Sequence, residues 1–172
     1  SETSNAGGTI KASDTSNKSL LLGDTSRDYQ YRSILSFDTA AIPDNATLVS
    51  ATLRLMRGTL SGTSPFDTHG PLLVDVQNGG FGGNRLLEKG DFQAPATAPV
   101  AASLSNAMAN LTWSEGGLNP AGLDAINKTG VTQFRVYFQI DDNDDAGNDY
   151  LGYYAGEAST AAYRPQLVLT YQ

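Results

Sequence analysis

The sequence predicts an all-β fold: a jelly-roll β-sandwich of two antiparallel sheets with one or two short helices. Three observations lead there. Apolar residues recur at period two in many short runs. Gly, Asn and Ser turns separate those runs. No strand–helix–strand rhythm links them. The missing rhythm argues against a parallel nucleotide-binding sheet. A chain of 172 residues suits one domain with its own core. Residues 1–8 are polar and read as a linker or disordered start, and residues 9–172 as a single β-sandwich domain. Ser1 is not an initiator Met, so a processed or excised chain is expected.

The elements follow in order. Residues 9–13 read as a first strand, and residues 19–22 as a short apolar run ended by Gly23. Residues 33–37 carry Ile34, Leu35 and Phe37, and Pro43 with Asp44 marks a turn. Residues 47–57 form the best strand of the first half, with Arg54 and Arg57 expected towards solvent. Residues 72–76 follow. Residues 98–111 are rich in Ala and Ser and are expected to hold a helical turn or two. Residues 120–128 read as a helix: Asn119 can cap it, Pro120 suits its first turn, and Gly130 follows its end. Leu123 and Ile126 would anchor it to a sheet. Residues 131–140 alternate well, with Phe134, Val136, Phe138 and Ile140 on one face. Residues 151–154 and 166–171 complete the set. The first and last strands both look buried, so they are expected to lie side by side.

Composition narrows the function. Charged residues make up only 17% of the chain, and the net charge is −7. That balance argues against non-specific binding to nucleic acid or to an anionic membrane. No run approaches the roughly 20 apolar residues that span a bilayer, so no membrane insertion is expected. The absence of cysteine excludes disulfides, thiolate catalysis and thiolate metal sites. Neither a Gly-x-Ser-x-Gly elbow nor a phosphate-cradling Gly loop occurs. His69 is the only histidine. Without a second His or a Cys it supports no zinc site of the usual kind, and it reads as an ordinary loop residue. Nothing in the spacing of Glu88, Glu115 and Glu157 favours paired catalytic carboxylates. The chain therefore reads as no enzyme.

The densest polar cluster is residues 141–149, with five aspartates in nine positions. Like charges this close repel unless a cation or solvent screens them. Ca²⁺ takes oxygen ligands from tight loops. Asp141, Asn143 and Asp145 have alternate spacing, and Gly147 allows the bend. Asp24 and Asp28, on an early loop, are candidate partners in a structural Ca²⁺ site. The alternative is a solvated acidic turn.

Aromatic residues outside the clean strand patterns suggest a sugar site. The CH faces of sugars stack on rings, while their hydroxyls need Asp, Asn, Gln or Arg partners. Tyr29 and Tyr31 sit beside Asp28, Gln30 and Arg32. Trp113 lies in a polar stretch, and Tyr150, Tyr153 and Tyr154 follow the acidic cluster. Arg32 and Arg85 would suit an acidic glycan. A regular strand sends Tyr153 and Tyr154 to opposite faces. The alternative is that each ring plugs an end of the sandwich.

Several segments together carry a resemblance. Arg32-Ser33-Ile34-Leu35-Ser36-Phe37-Asp38 leads into Ile42-Pro43-Asp44-Asn45-Ala46 and Val49-Ser50-Ala51-Thr52-Leu53-Arg54-Leu55. Tyr150-Leu151-Gly152-Tyr153-Tyr154 and Arg164-Pro165-Gln166-Leu167-Val168-Leu169-Thr170-Tyr171 come much later. The chain, from about Ile10 to Tyr171, resembles the DNRLRE or disaggregatase-related domains, which include the family 96 carbohydrate-binding modules. That resemblance implies a jelly roll, secreted or at the cell surface and covalently linked to other domains in a larger precursor. It implies a non-catalytic module of an extracellular enzyme or surface protein that binds a neutral or acidic polysaccharide. A structural or adhesive stalk domain is the alternative, and a polysaccharide lyase or hydrolase the second. One departure is Ser36, where the family often has a basic residue before Phe37-Asp38.

Overall fold

The computed structural model describes residues 6–10 and 19–172. The strand expected over residues 9–13 falls largely outside them, as does most of the expected linker. Residues 9 and 10 are described and carry no strand. The described residues form nine strands and two short α-helices. In chain order they are β1 (Ser19–Asp24), β2 (Ser33–Asp38), β3 (Leu48–Gly62), α1 (Pro65–Thr68), β4 (Leu72–Asn78) and β5 (Ala98–Leu104). Then come β6 (Trp113–Gly117), α2 (Pro120–Asp124), β7 (Val131–Phe138), β8 (Asp149–Tyr154) and β9 (Gln166–Tyr171).

The strands make two antiparallel sheets. One has the order β1-β8-β3-β6 with β9 also on β3, and the other the order β2-β7-β4-β5. β1 with β8, β2 with β7, β3 with β6 and β4 with β5 are the rungs of one long antiparallel ribbon. Rolling that ribbon until β8 meets β3 and β7 meets β4 gives the jelly roll. The core lies between the sheets. Leu22, Leu53, Leu55, Leu72, Val74, Val76, Phe134, Val136 and Leu151 in it are fully buried. Each such side chain contributes about 1.5–3 kcal/mol by leaving water.

β3 is the longest strand, at 15 residues. Its first half pairs with β9 and its second half with β8, while β6 takes the opposite edge. Among the described strands β1 and β9 are not neighbours, since β8 separates β1 from β3. The strand expected first, over residues 9–13, lies largely outside the described residues, and so does its expected place beside the last strand. Arg57 also departs from expectation. It is buried at a bulge in β3, where it donates to the Ala107 carbonyl (2.7 Å) and to Asn110 Oδ1 (3.1 Å).

Two further segments differ from the sequence reading. Residues 98–104 are strand β5, not helical turns, and Trp113 begins strand β6 rather than sitting in a loop. The small residues of β5 serve close packing. A Cβ added to Gly122 of α2 would sit 2.8 Å from the Ala101 Cβ, so only small side chains let the helix approach. Helix α2 does form at Pro120. The Asn119 side chain accepts from the Gly122 N–H at 2.9 Å, as expected of its cap, but the helix stops at Asp124.

The outer face of the second sheet is covered by residues 79–97. Arg135 of β7 donates to Asp75 of β4 through Nε (3.1 Å) and Nη2 (2.5 Å), and to the carbonyls of Asp91 and Ala94. Its guanidinium also lies over the Phe81 ring. Both partners of this pair are buried. Removing one partner of such a pair costs about 3–5 kcal/mol, because the other is left uncompensated. This covering explains why β7 is buried on both faces.

Candidate metal centre

β1 and β8 pair with Asp24 opposite Asp149. Period two puts Leu20, Leu22 and Asp24 on one face of β1, and Asp149, Leu151 and Tyr153 on one face of β8. Those faces are the core faces, so both strands carry a carboxylate inward at the same end of the sandwich. Three of the four crossings between sheets at this end bear on that point: residues 25–32, 63–71 and 139–148. Two glycines let the strands close there. Gly23 has φ +115°, and a Cβ on it would lie 2.0 Å from the Asp149 carbonyl oxygen. Gly62 has φ +73°, and a Cβ on it would lie 1.5 Å from the Asn148 carbonyl oxygen.

His69 closes helix α1, its N–H bonded to the Pro65 carbonyl. Its ring is fully buried and meets the Phe138 ring nearly edge-on at 6.3 Å. Asp24, His69 and Asp149 are all at most 1% exposed, and one donor atom from each lies within 4.8 Å of the others. The arrangement could hold a metal ion.

Neighbouring groups orient these side chains. Asp149 Oδ1 accepts from the Thr63 N–H (3.1 Å), and its Oδ2 accepts from the Asn143 amide (3.0 Å). His69 Nδ1 lies 2.7 Å from Thr68 Oγ1, which is itself 3.4 Å from the Ser64 carbonyl. With the hydroxyl proton directed at Ser64, Nδ1–H donates to Thr68 and the Nε2 lone pair faces Asp24. Nε2 is 3.5 Å from Asp24 Oδ2. Among the described residues, His69 Nε2, Asp24 Oδ1 and Asp142 Oδ2 are buried with no hydrogen-bond partner. Leaving a buried polar atom unsatisfied costs about 1–3 kcal/mol. Burial pushes the Asp24 carboxyl up to about 6. A side-chain hydrogen bond with Asp142 acts the same way, as do the Asp142 and Asp149 charges, and His69 opposes them.

Of the sequence-derived metal candidates, the structure brings Asp24 into this group. Asp149 and His69 join it, and sequence reasoning did not place either there. Asp141 accepts instead from Gln30 (2.9 Å) and Arg32 (3.4 Å). Asn143 turns its amide nitrogen towards Asp149 and Asp145, so it positions a carboxylate and offers no oxygen there. Asp145 accepts from the Gly147 N–H on the exposed part of the loop. Asp28 lies in the β1–β2 crossing with φ +58° and is not in the buried group.

The sugar-site candidates scatter. Tyr153 has no exposed surface and bonds Ser114 Oγ at 2.9 Å, so it is a core residue and leaves the set. Tyr154 faces the other way, half-buried against Tyr163. Arg32 is nine-tenths buried, donating to Gln30, the Phe92 carbonyl and Asp141. Tyr31 and Tyr150 meet edge to face at 5.7 Å. Trp113 is half-buried under Arg54. Arg85 is exposed on the segment that covers the second sheet. Tyr29 is 57% exposed. Compared with known proteins, the chain matches no family model and no curated protein.

Proposed function

We propose that this protein is a non-catalytic polysaccharide-binding module of the DNRLRE type, secreted or at the cell surface and joined to other domains. The observation that supports it is Tyr29. Its ring projects from the β1–β2 crossing at the end of the sandwich. Asn148 and Asp141 from the β7–β8 crossing bond the same segment, through the Ser26 N–H (3.0 Å) and Gln30 (2.9 Å). An exposed ring on a segment that also carries Asp28 and Gln30, bonded to Asn148 and Asp141, suits the CH face and hydroxyls of a sugar. Asp24, five positions earlier, anchors this crossing in the buried group, so a cation there would stiffen the binding surface. Calcium is the ion that the run of aspartates suggests by itself, while the imidazole favours an ion that binds nitrogen.

A catalytic role has less support. Glu88 caps a 3-10 turn and Glu115 pairs with Arg54, which gives both carboxylates structural partners. Affinity electrophoresis against neutral and acidic polysaccharides tests the proposal. Retardation by at least one glycan is expected, and Tyr29→Ala should weaken it at least about tenfold. No retardation by any of the panel would leave the structural or adhesive reading in its place.

A further inference from the structure

The geometry points to a structural site for a divalent transition-metal ion, zinc foremost, held by Asp24, His69 and Asp149 with Asp142 beside them. It does not depend on the polysaccharide reading. The first support is His69 Nε2, a fully buried atom with no hydrogen-bond partner, in one group with the buried carboxyls of Asp24 and Asp149. A core of this kind leaves such an atom bare only where something else satisfies it. The second is spacing. His69 Nε2 and Asp24 Oδ2 are 3.5 Å apart and make no hydrogen bond, whereas two ligands of one tetrahedral zinc lie about 3.4 Å apart.

The third is orientation. A metal-binding histidine donates its other ring N–H to a neighbour, and Thr68 Oγ1, 2.7 Å from His69 Nδ1, is placed to accept such a bond. Thr63 and Asn143 fix Asp149 in the same manner. The donor chemistry then selects the ion. Calcium prefers oxygen throughout, whereas an imidazole among carboxylates suits zinc. Asp142 Oδ2 is also buried, beside Asp24 and outside the three donors that lie within 4.8 Å of one another. A catalytic zinc keeps an open position, but the three ligands here are at most 1% exposed, so the role is structural. Asp144 and Asp145 outside the group draw cations towards it.

The test starts from protein stripped by a chelator and dialysed separately against Zn²⁺, Mn²⁺ or Ca²⁺. Metal content by elemental analysis and thermal unfolding are both read. One zinc per chain is expected, and excess Ca²⁺ should not displace it. With zinc at 100 times its dissociation constant, the melting temperature should rise by about 5–10 °C. Thr68→Val should weaken zinc binding about 10–100-fold. His69→Asn should abolish it, and Asp44→Asn, in the exposed crossing between β2 and β3, should leave it unchanged. If His69→Asn does not fold, Thr68→Val and the metal content of the unaltered protein still decide the matter. Preference for calcium over zinc would overturn the inference. So would equal zinc binding by the His69 variant, loss of binding in the Asp44 variant, or an unchanged melt with no bound metal.

Discussion

Tyr153 shows how a polar atom is tolerated between the sheets. Its hydroxyl finds Ser114 Oγ, and burial pushes its pKa up to about 12. The neutral phenol is thus favoured in the folded state. Its contribution is complete below pH 10, the unfolded value, and is lost as pH rises through 12. The protein should therefore lose about 2–3 kcal/mol between pH 10 and 12 through this residue. Tyr153→Phe should flatten the alkaline limb of melting temperature against pH, and an unchanged slope would contradict the assignment. That Tyr153 and Tyr154 face opposite ways was legible from strand alternation, but which of them turns inward was not, and neither was Ser114, on a strand read as loop. The metal group was half legible in the same way. Asp24 is in phase with Leu20 and Leu22, and Asp149 with Leu151 and Tyr153, so period two alone puts both carboxylates on apolar faces. Nothing local places His69 beside them, because a lone histidine after a four-residue helix carries no periodic signal.

At the scale of elements, strands with bulky alternating residues were readable and those built of small residues were not. β5 holds Ala98, Ala101 and Ala102, a composition that favours helix by propensity. Tertiary packing overrides it, since α2 needs small side chains opposite Gly122. The approach of β3, β8 and β1 depends on glycines in a comparable way. Gly62 and Gly79 both have positive φ, but only Gly62 has backbone against the place a side chain would fill. Gly79→Ala should cost about 1 kcal/mol, the strain of a left-handed residue alone. Gly62→Ala should cost more than about 2 kcal/mol, because the Asn148 backbone must also move. Denaturant unfolding of the two variants measures the difference, and equal losses would show that the strands can separate freely there.

The whole molecule was legible as a class and not as a wiring. Alternation identified most strands, and the jelly roll fits them. Which strands pair depends on contacts between distant segments, as β1 with β8 and β9 with β3 show. The rolled ribbon also orders its own assembly. The β4–β5 rung joins neighbouring strands, whereas the β1–β8 rung joins opposite ends of the chain and must bear the largest loop-closure entropy. Asp24 and Asp149 sit on that last rung. A cation bound there acts after the rate-limiting step, as a latch on a finished structure. Stopped-flow kinetics should then show metal removal speeding unfolding by more than it slows folding. A mainly slower folding limb would mean that the ends of the chain meet early. In the expected case the ion governs how long a folded molecule survives more than how fast one forms.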